Sequence, residues 1–448
     1  MNISVRSYRL VITFILLLSG NYCFAQQNEF VSVKQQQFFN AGKPMYFIGT
    51  NYWYGGLLGL QKDKEKGIDR LKKELDFLVS NGVTNLRVLA GSEGTGLING
   101  IDRVGPALQK AKGIFDSDFL SGLDLLLSEM GKRNMKAVIF LSNNWEWSGG
   151  FLQYLQWNGL ISNEILKKKM SWNDTRDYVS KFYSCEPCKA DYLGQLELII
   201  TRTNSVTNIK YTDDPAIMAW ELANEPRPMR PSAIRDYKNW ISATASFIKE
   251  KDKNHLVTIG TEGYIGTENI KVYESIHADK NIDYLTIHIW PKNWEWFKGK
   301  AVEEGMDSVF DKSKKYISDH LNIAERLRKP LVIEEFGLPR DGHSFDQSSS
   351  TTARDNYYTA VFTELLMSRK KDGALAGAAF WSYGGSIKPK QILWKTGDEY
   401  IGDPPMEEQG LNAVFDDDNS TWRLIQSIYD QLKIMAPVST GTESIMQQ

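Results

Sequence analysis

Short apolar runs alternate along the chain with longer stretches in which apolar residues return every three or four positions. The runs are Met45–Thr50, Thr84–Leu89, Lys136–Leu141, Ile217–Leu222, Leu256–Gly260, Tyr284–His288, Leu331–Glu335 and Gly377–Trp381. Each reads as a strand buried on both faces. Between them, Ile68–Ser80, Phe119–Arg133, Ser232–Lys249, Ser313–Arg328, Ala353–Arg369 and Thr421–Leu432 carry an apolar stripe opposite charged residues, the pattern of amphipathic helices. Strands alternating with helices predict an α/β fold, a (β/α)8 barrel. The alternative is a doubly wound open sheet, but no Gly-x-Gly-x-x-Gly follows the first strand. Polar or chemically active residues also recur where the strands end: Asn51, Arg87, Asn143, Asn224-Glu225, Glu262, His288, Glu335 and Trp381. Barrel enzymes build their sites on that face.

The ends of the chain read differently. Residues 1–25 carry Arg6 and Arg9, an apolar run from Val11 to Leu18 and a small residue at Ala25, which reads as a secretory signal. A lipid anchor on Cys23 is its rival. Residues 26–35 read as a loose segment, 36–435 as one catalytic domain, and 436–448 as a disordered tail. The expected destination is outside the cytoplasm. No later run is long enough to span a bilayer. Cys185 and Cys188 then form a local disulfide in the simplest reading; zinc would need two more ligands.

A net charge of −2 with no basic block excludes nucleic acid as a main partner. The 13 Trp, 20 Tyr and 20 Phe matter more, since many stand beside Gly, Asn and Pro in expected loops. Aromatic loops suit the flat apolar faces of sugar rings. Candidate platforms are Tyr52-Trp53-Tyr54, Trp145, Trp147, Trp290, Trp294 and Trp296.

Two segments carry chemistry. In Ala219-Trp220-Glu221-Leu222-Ala223-Asn224-Glu225-Pro226 an apolar strand runs into Asn-Glu, and proline stops it. In Leu331-Val332-Ile333-Glu334-Glu335-Phe336-Gly337 another strand ends in carboxylates. Glycosidic cleavage needs two: one to protonate the leaving oxygen, one to attack the anomeric carbon. Strand alternation lets only one of Glu334 and Glu335 face the mouth, and spacing alone does not choose between them.

These segments, with Gly49-Thr50-Asn51-Tyr52-Trp53, Asn85-Leu86-Arg87-Val88, Ser349–Asp355 and Gly402-Asp403-Pro404-Pro405, resemble glycoside hydrolase family 5, in its β-mannanase branch. The resemblance implies Glu225 as acid/base and Glu335 as nucleophile, with Glu334 in support. It further implies Arg87 beside the nucleophile, Asn224 on the sugar 2-hydroxyl, His288 near the acid/base and Trp381 under the sugar. The chain departs from the common pattern at His288-Ile289-Trp290, where Trp290 stands in place of a tyrosine. Asn143 is a candidate polar contact. Glu262 is equally readable as a substrate contact or a loop brace. His255, His277, His320 and His343 read as surface or capping residues, and Asp416-Asp417-Asp418 as a solvated turn.

The function implied is a retaining endo-β-1,4-mannanase acting on mannan, glucomannan or galactomannan, with no metal and no cofactor, as a monomer by default. The alternatives are a cellulase or an exo-β-mannosidase with the same pair, a transglycosylase, or an inactive glycan-binding barrel.

Overall fold

A computed structural model describes residues 30–297 and 301–435. The candidate signal, residues 26–29 of the loose segment and the tail from 436 fall outside the described residues. The barrel strands are β1 (Phe47–Asn51), β2 (Asn85–Leu89), β3 (Lys136–Phe140), β4 (Ile217–Glu221), β5 (Leu256–Thr258), β6 (Leu285–Ile289), β7 (Leu331–Phe336) and β8 (Leu375–Phe380). They form one parallel sheet in the order β5-β4-β3-β2-β1-β8-β7-β6. Closure between β5 and β6 rests on single bonds rather than a ladder: Asp283 N–H to Val257 O (2.8 Å) and His288 N–H to Glu262 O (3.0 Å). The eight strands expected are present, each within a few residues of its predicted bounds.

The outer layer is α1 (Lys64–Ser80), α2 (Leu120–Lys132), α3 (Glu186–Ile200), α4 (Ile234–Lys251), α5 (Ile270–His277), α6 (Met306–Leu327), α7 (Thr352–Lys370) and α8 (Asn419–Ile434). Their apolar stripes face the sheet; in α1, Leu71, Leu75 and Leu78 are buried. Asp63 caps α1 by accepting from Lys66 N–H at 3.1 Å, which satisfies one of the free donors of its first turn. Helices α3 and α5 were not anticipated, nor were Gly150–Trp157, Asn163–Lys167 and Trp172–Val179 within the β3–α3 connection. These last are short, and aromatic and polar residues interrupt any 3.6-residue stripe. Cys185 caps α3 and is disulfide-bonded to Cys188.

The N-terminal segment corrects the reading of a loose stretch. Ser32–Lys34, Gln37–Asn40 and Lys43–Met45 form an antiparallel meander. Its Val31 and Phe38 are buried among Phe47, Val138, Met218, Leu256, Tyr284 and Val332, all at the starting ends of barrel strands. The meander therefore stoppers the floor of the barrel, and residues 30–35 belong to the domain.

Three histidines read as surface or capping residues are buried. His255 is held between Asp252 Oδ2 (2.6 Å) and Asp214 O (2.9 Å). His277 and His320 bond the carbonyls of Tyr273 and Tyr316 one helical turn back. Burial pushes His277 down to about 3 and His320 down to about 4, so both are neutral packing groups. The Asp416–Asp418 turn is only partly solvated, since Asp418 is buried and accepts from Arg340 Nη2 at 2.5 Å.

Phe38→Ala tests the stopper. The ring sits 5.2 Å from Tyr284 and 6.3 Å from Phe47, centroid to centroid. Chemical denaturation of this variant should show a loss of about 3–5 kcal/mol, with the ratio of activity to folded protein unchanged.

Candidate active site

Arg87, at the middle of β2 rather than at its end, fixes the floor of the site. Its guanidinium is fully buried and donates through Nε and Nη2 to both oxygens of Glu221, at 2.8 and 2.6 Å. Nη2 also reaches Asn224 Oδ1 (2.7 Å), and Nη1 reaches Asn51 Oδ1 (3.0 Å) and Glu335 Oε1. Phe140 lies beneath it, 4.9 Å from ring centroid to guanidinium. A planar fork with five donors can hold this many acceptors in one geometry; an ammonium cannot.

Glu225 leaves β4 by a strained turn, at φ +49°. A left-handed glutamate costs of order 1 kcal/mol and persists only where its surroundings fix it. Here Asn224 N–H donates to Ser142 O and Glu225 N–H to Gly260 O, both at 2.9 Å, which stitches the turn to the β3 and β5 ends. Gly260 is itself left-handed (φ +82°), and a Cβ there would stand 2.1 Å from Glu221 Oε1. Only glycine fits. Asn143 pairs with Asn224 across the strand ends, its Oδ1 accepting from Asn224 Nδ2 at 3.1 Å.

On β7 the expected alternation fails. Ile287 pairs with Ile333, but His288 pairs with Glu335, so Glu334 is the extra residue of a bulge. A bulge lets two successive side chains share a face. Both carboxylates point inward: Glu334 Oε2 lies 3.4 Å from His288 Nε2 and 3.6 Å from Arg87 Nε, and Glu335 stands at the mouth. As alternation required, only one of the two, Glu335, reaches the cavity at the mouth; the bulge turns Glu334 in beneath it, against Arg87 and His288.

His288 bridges the pair. Its Nδ1 is 2.7 Å from Glu225 Oε1 and 3.3 Å from Glu335 Oε2. Trp145 Nε1–H donates to Glu225 Oε2 (2.6 Å), and Trp290 Nε1–H to Glu335 Oε2 (3.1 Å). One oxygen of Glu225 and one of Glu335 lie within 4.8 Å of each other. Burial works against the charged imidazole, but Glu335, Glu225 and Glu334 overcome it and push His288 up to about 10. Burial raises Glu225, yet His288, Arg227 and the Trp145 donor outweigh it and leave it below the usual glutamate range. Burial raises Glu335, and with Glu225 and Glu334 it prevails over His288 and Arg87. In the free site the imidazolium between the two carboxyls thus holds Glu225 in its charged form. Glu225, His288 and Glu335 could in geometry hold a cation; the protonated imidazole already fills that role.

The carboxylates open into a cavity of about 360 Å³ walled by Trp145, Trp147, Trp172, Trp290, Trp294 and Trp381. Trp290 and Trp381 meet edge to face at 5.9 Å. Trp172, 49 % exposed, stacks on Trp145 at the rim, and Arg227 lies over the Trp145 ring at 4.9 Å while pairing with Glu262 at 2.6 Å. Glu262 is thus a brace for Arg227. Trp53 does not line the cavity: it is buried, donates to Gly402 O (2.7 Å) and packs on Trp147 and Tyr400. Tyr52 and Tyr54 are buried with it. The Gly-Thr-Asn-Tyr-Trp segment carries packing, not a platform. Glu221, Arg227 and Trp172 were missed; the one available signal was Glu221, a charge inside an apolar strand.

Two buried carboxylates at the ends of β4 and β7, an arginine below and an aromatic cavity above, define a glycoside hydrolase barrel. A family description, GH family 5 beta-mannosidase-like, matches residues 28–436, and the chain belongs to that family. A mannan endo-1,4-beta-mannosidase of Solanum lycopersicum is 30 % identical over 82 % of this chain and 86 % of its own. One of Arabidopsis thaliana is 29 % identical over 82 % and 85 %. The crystal structure of a family 5 mannosidase from Rhizomucor miehei superimposes with a TM-score of 0.82 at 28 % identity, covering 91 % of this chain and 98 % of that one.

The charge on His288 makes stability depend on pH. The folded state holds this proton up to about 10, against an ordinary value of 6.5. Its stabilisation is complete below 6.5 and is lost as pH rises through about 10. Denaturation midpoints should fall across that window in the wild type, and the slope should be shallower in His288→Gln.

Proposed function

We propose that this chain is a retaining endo-β-1,4-mannanase that hydrolyses internal bonds of mannan, glucomannan or galactomannan. The observation that carries the mechanism is the closeness of the two carboxylates, an oxygen of one lying within 4.8 Å of an oxygen of the other with His288 between them. Retaining glycosidases hold the pair about 5–5.5 Å apart, whereas inverting ones leave about 6.5–9.5 Å for a water. Support for mannan comes from the curated relatives, which are named mannan endo-1,4-beta-mannosidases.

Glu335 attacks the anomeric carbon. Its Oε1 is held by Arg87 and its Oε2 by Trp290, so its lone pairs are aimed before substrate arrives. Glu225 protonates the leaving oxygen, then takes a proton from the water that releases the glycosyl-enzyme. Asn224, fixed between Arg87 and Asn143, presents its amide to the sugar ring. Trp381 and Trp290 supply the apolar walls. Arg87, Asn224, His288, Trp290, Trp381 and Trp145 thus serve as the substrate-side and positioning set around Glu225 and Glu335. Asn143 acts from below, through Asn224.

A second reading has its own support. The family 5 mannosidase of Rhizomucor miehei overlays better than the endo-1,4-beta-mannanase of the same organism, TM-score 0.82 against 0.64. The catalytic cavity, about 360 Å³, also lies at the small end of the range for small-molecule sites. Both favour action at chain ends or on short oligosaccharides. We further propose that the protein is exported. The Cys185–Cys188 disulfide suits an oxidising compartment, and no helix of the described residues is long and apolar enough to cross a membrane.

Product analysis on unbranched β-1,4-mannan and on carboxymethyl-cellulose separates these readings. A ladder of short manno-oligosaccharides from mannan alone supports the endo reading. Mannose alone supports the exo reading, and stronger cleavage of cellulose overturns the substrate. Glu225→Ala should lower kcat by about 10²–10⁴-fold, and Glu335→Ala at least as much. Near-normal activity in either variant overturns the mechanism.

A further inference from the structure

A third carboxyl group faces the catalytic cavity. Glu407, in the long connection after β8, lines the cavity together with its neighbours Pro404 and Met406, as do Trp145 and Trp172 from the β3 connection. Among the described residues its Oε2 is buried and has no hydrogen-bond partner. The backbone beneath it is fixed, not slack. Glu407 N–H donates to Pro404 O at 2.9 Å, and Gln409 Nε2 holds the Glu407 carbonyl at 3.2 Å. Asp403 gathers the N–H groups of Gly410 (2.8 Å), Asn412 (3.1 Å) and Ala413 (3.3 Å). A buried acceptor left unpaired on so well-determined a loop costs stability and serves no packing purpose.

We propose that Glu407 is a substrate-binding residue, and that its carboxyl hydrogen-bonds a hydroxyl of a pyranose seated beside the scissile bond. This rests on the glycosidase reading above, though not on the identity of the sugar. The chemistry fits a hydroxyl in particular. Burial, then the negative Asp403, Glu335 and Glu225, push the Glu407 carboxyl well above its usual range, against the pull of Lys292. A neutral carboxyl offers one O–H donor beside an acceptor, and a sugar hydroxyl answers both. A cationic ligand would have drawn the proton off. A second anion would meet the like charges of Glu225 and Glu335. The substrate supplies the partner that the protein withholds, so the cost of the unpaired group in the free enzyme becomes discrimination for the correct sugar.

The test uses the full chain with Glu407→Ala and Glu407→Gln, measuring kcat/KM on mannotetraose and mannohexaose together with melting temperatures. The expected result is a loss of about 10–100-fold in the alanine variant, largely restored by glutamine, which keeps a donor and an acceptor in the same shape. Melting temperatures should be equal to or above that of the wild type, because an unpaired acid beside two others has been removed. An alanine variant as active as the wild type overturns the proposal. So does an equal loss in both variants with a lowered melting temperature, which marks a structural brace. If the wild type leaves both oligosaccharides intact, the mannan reading fails. The same variants are then compared on whichever β-glycan the wild type cleaves, and their ratio still decides the role of Glu407.

Discussion

The interaction on which the site depends is the buried guanidinium of Arg87. One cation in the middle of β2 binds Glu221 on β4, Asn224 just beyond it, Asn51 on β1 and Glu335 on β7. Four separate barrel segments are thereby referred to a single rigid plane. A lone buried ion would be expensive to desolvate. Here the cost is offset because every hydrogen on the fork meets an acceptor, and because each carboxylate would be worse off alone. The consequence is directional. Glu221 spends both oxygens on Arg87, so it is a structural counter-ion. Glu335 gives Arg87 one oxygen and Trp290 the other, which leaves it aimed but not neutralised.

The second constraint is the imidazolium of His288. It sits between the acid/base and the nucleophile and lowers both: Glu225 ends below its usual range, while burial still holds Glu335 above its own. Two acids within 4.8 Å share a proton. Inserting a third titrating group moves that proton onto the ring, so Glu225, His288 and Glu335 titrate as one unit. The unit is sealed by Arg87 and Glu334 below and by tryptophans above.

What could be read from the sequence follows from the range of each signal. The β4 and β7 segments were legible because an apolar run ending in Asn-Glu-Pro or Glu-Phe-Gly is local in the chain. Glu225, Glu335, Arg87, Asn224, His288 and Trp381 came from such segments, and the fold gathers them. Trp53 failed for the opposite reason: its fate is set by Trp147 and Tyr400, distant in sequence. The β7 bulge is a property of pairing with β6 and leaves no mark in Ile333-Glu334-Glu335 itself. The histidines of α5 and α6 bond carbonyls one turn back, so their polarity is satisfied inside the core, and no local pattern announces that. Residues 26–35 looked loose because the stretch is rich in glutamine; two residues, Val31 and Phe38, decide the place of the meander that its described part begins.

The free site is arranged for the second half of the reaction. Glu225 accepts from both His288 and Trp145, which is the bonding of a carboxylate and not of an acid. To act as an acid it must carry the proton that His288 holds. Burial is the largest influence on Glu225 and pushes toward the neutral form, while the opposing influences are short contacts that a sugar can disturb. A pyranose entering between Trp145 and Trp381 excludes water from the carboxyl and competes for the Trp145 donor. Both changes favour transfer from Nδ1 to Oε1 across 2.7 Å. Once the leaving group has departed with that proton, Glu225 is a carboxylate held by Trp145 beside a neutral ring; as base it takes a proton from the attacking water, and return of that proton to Nδ1 restores the free site. The alternation of Glu225 between acid and base is therefore written in which of its contacts the substrate can reach.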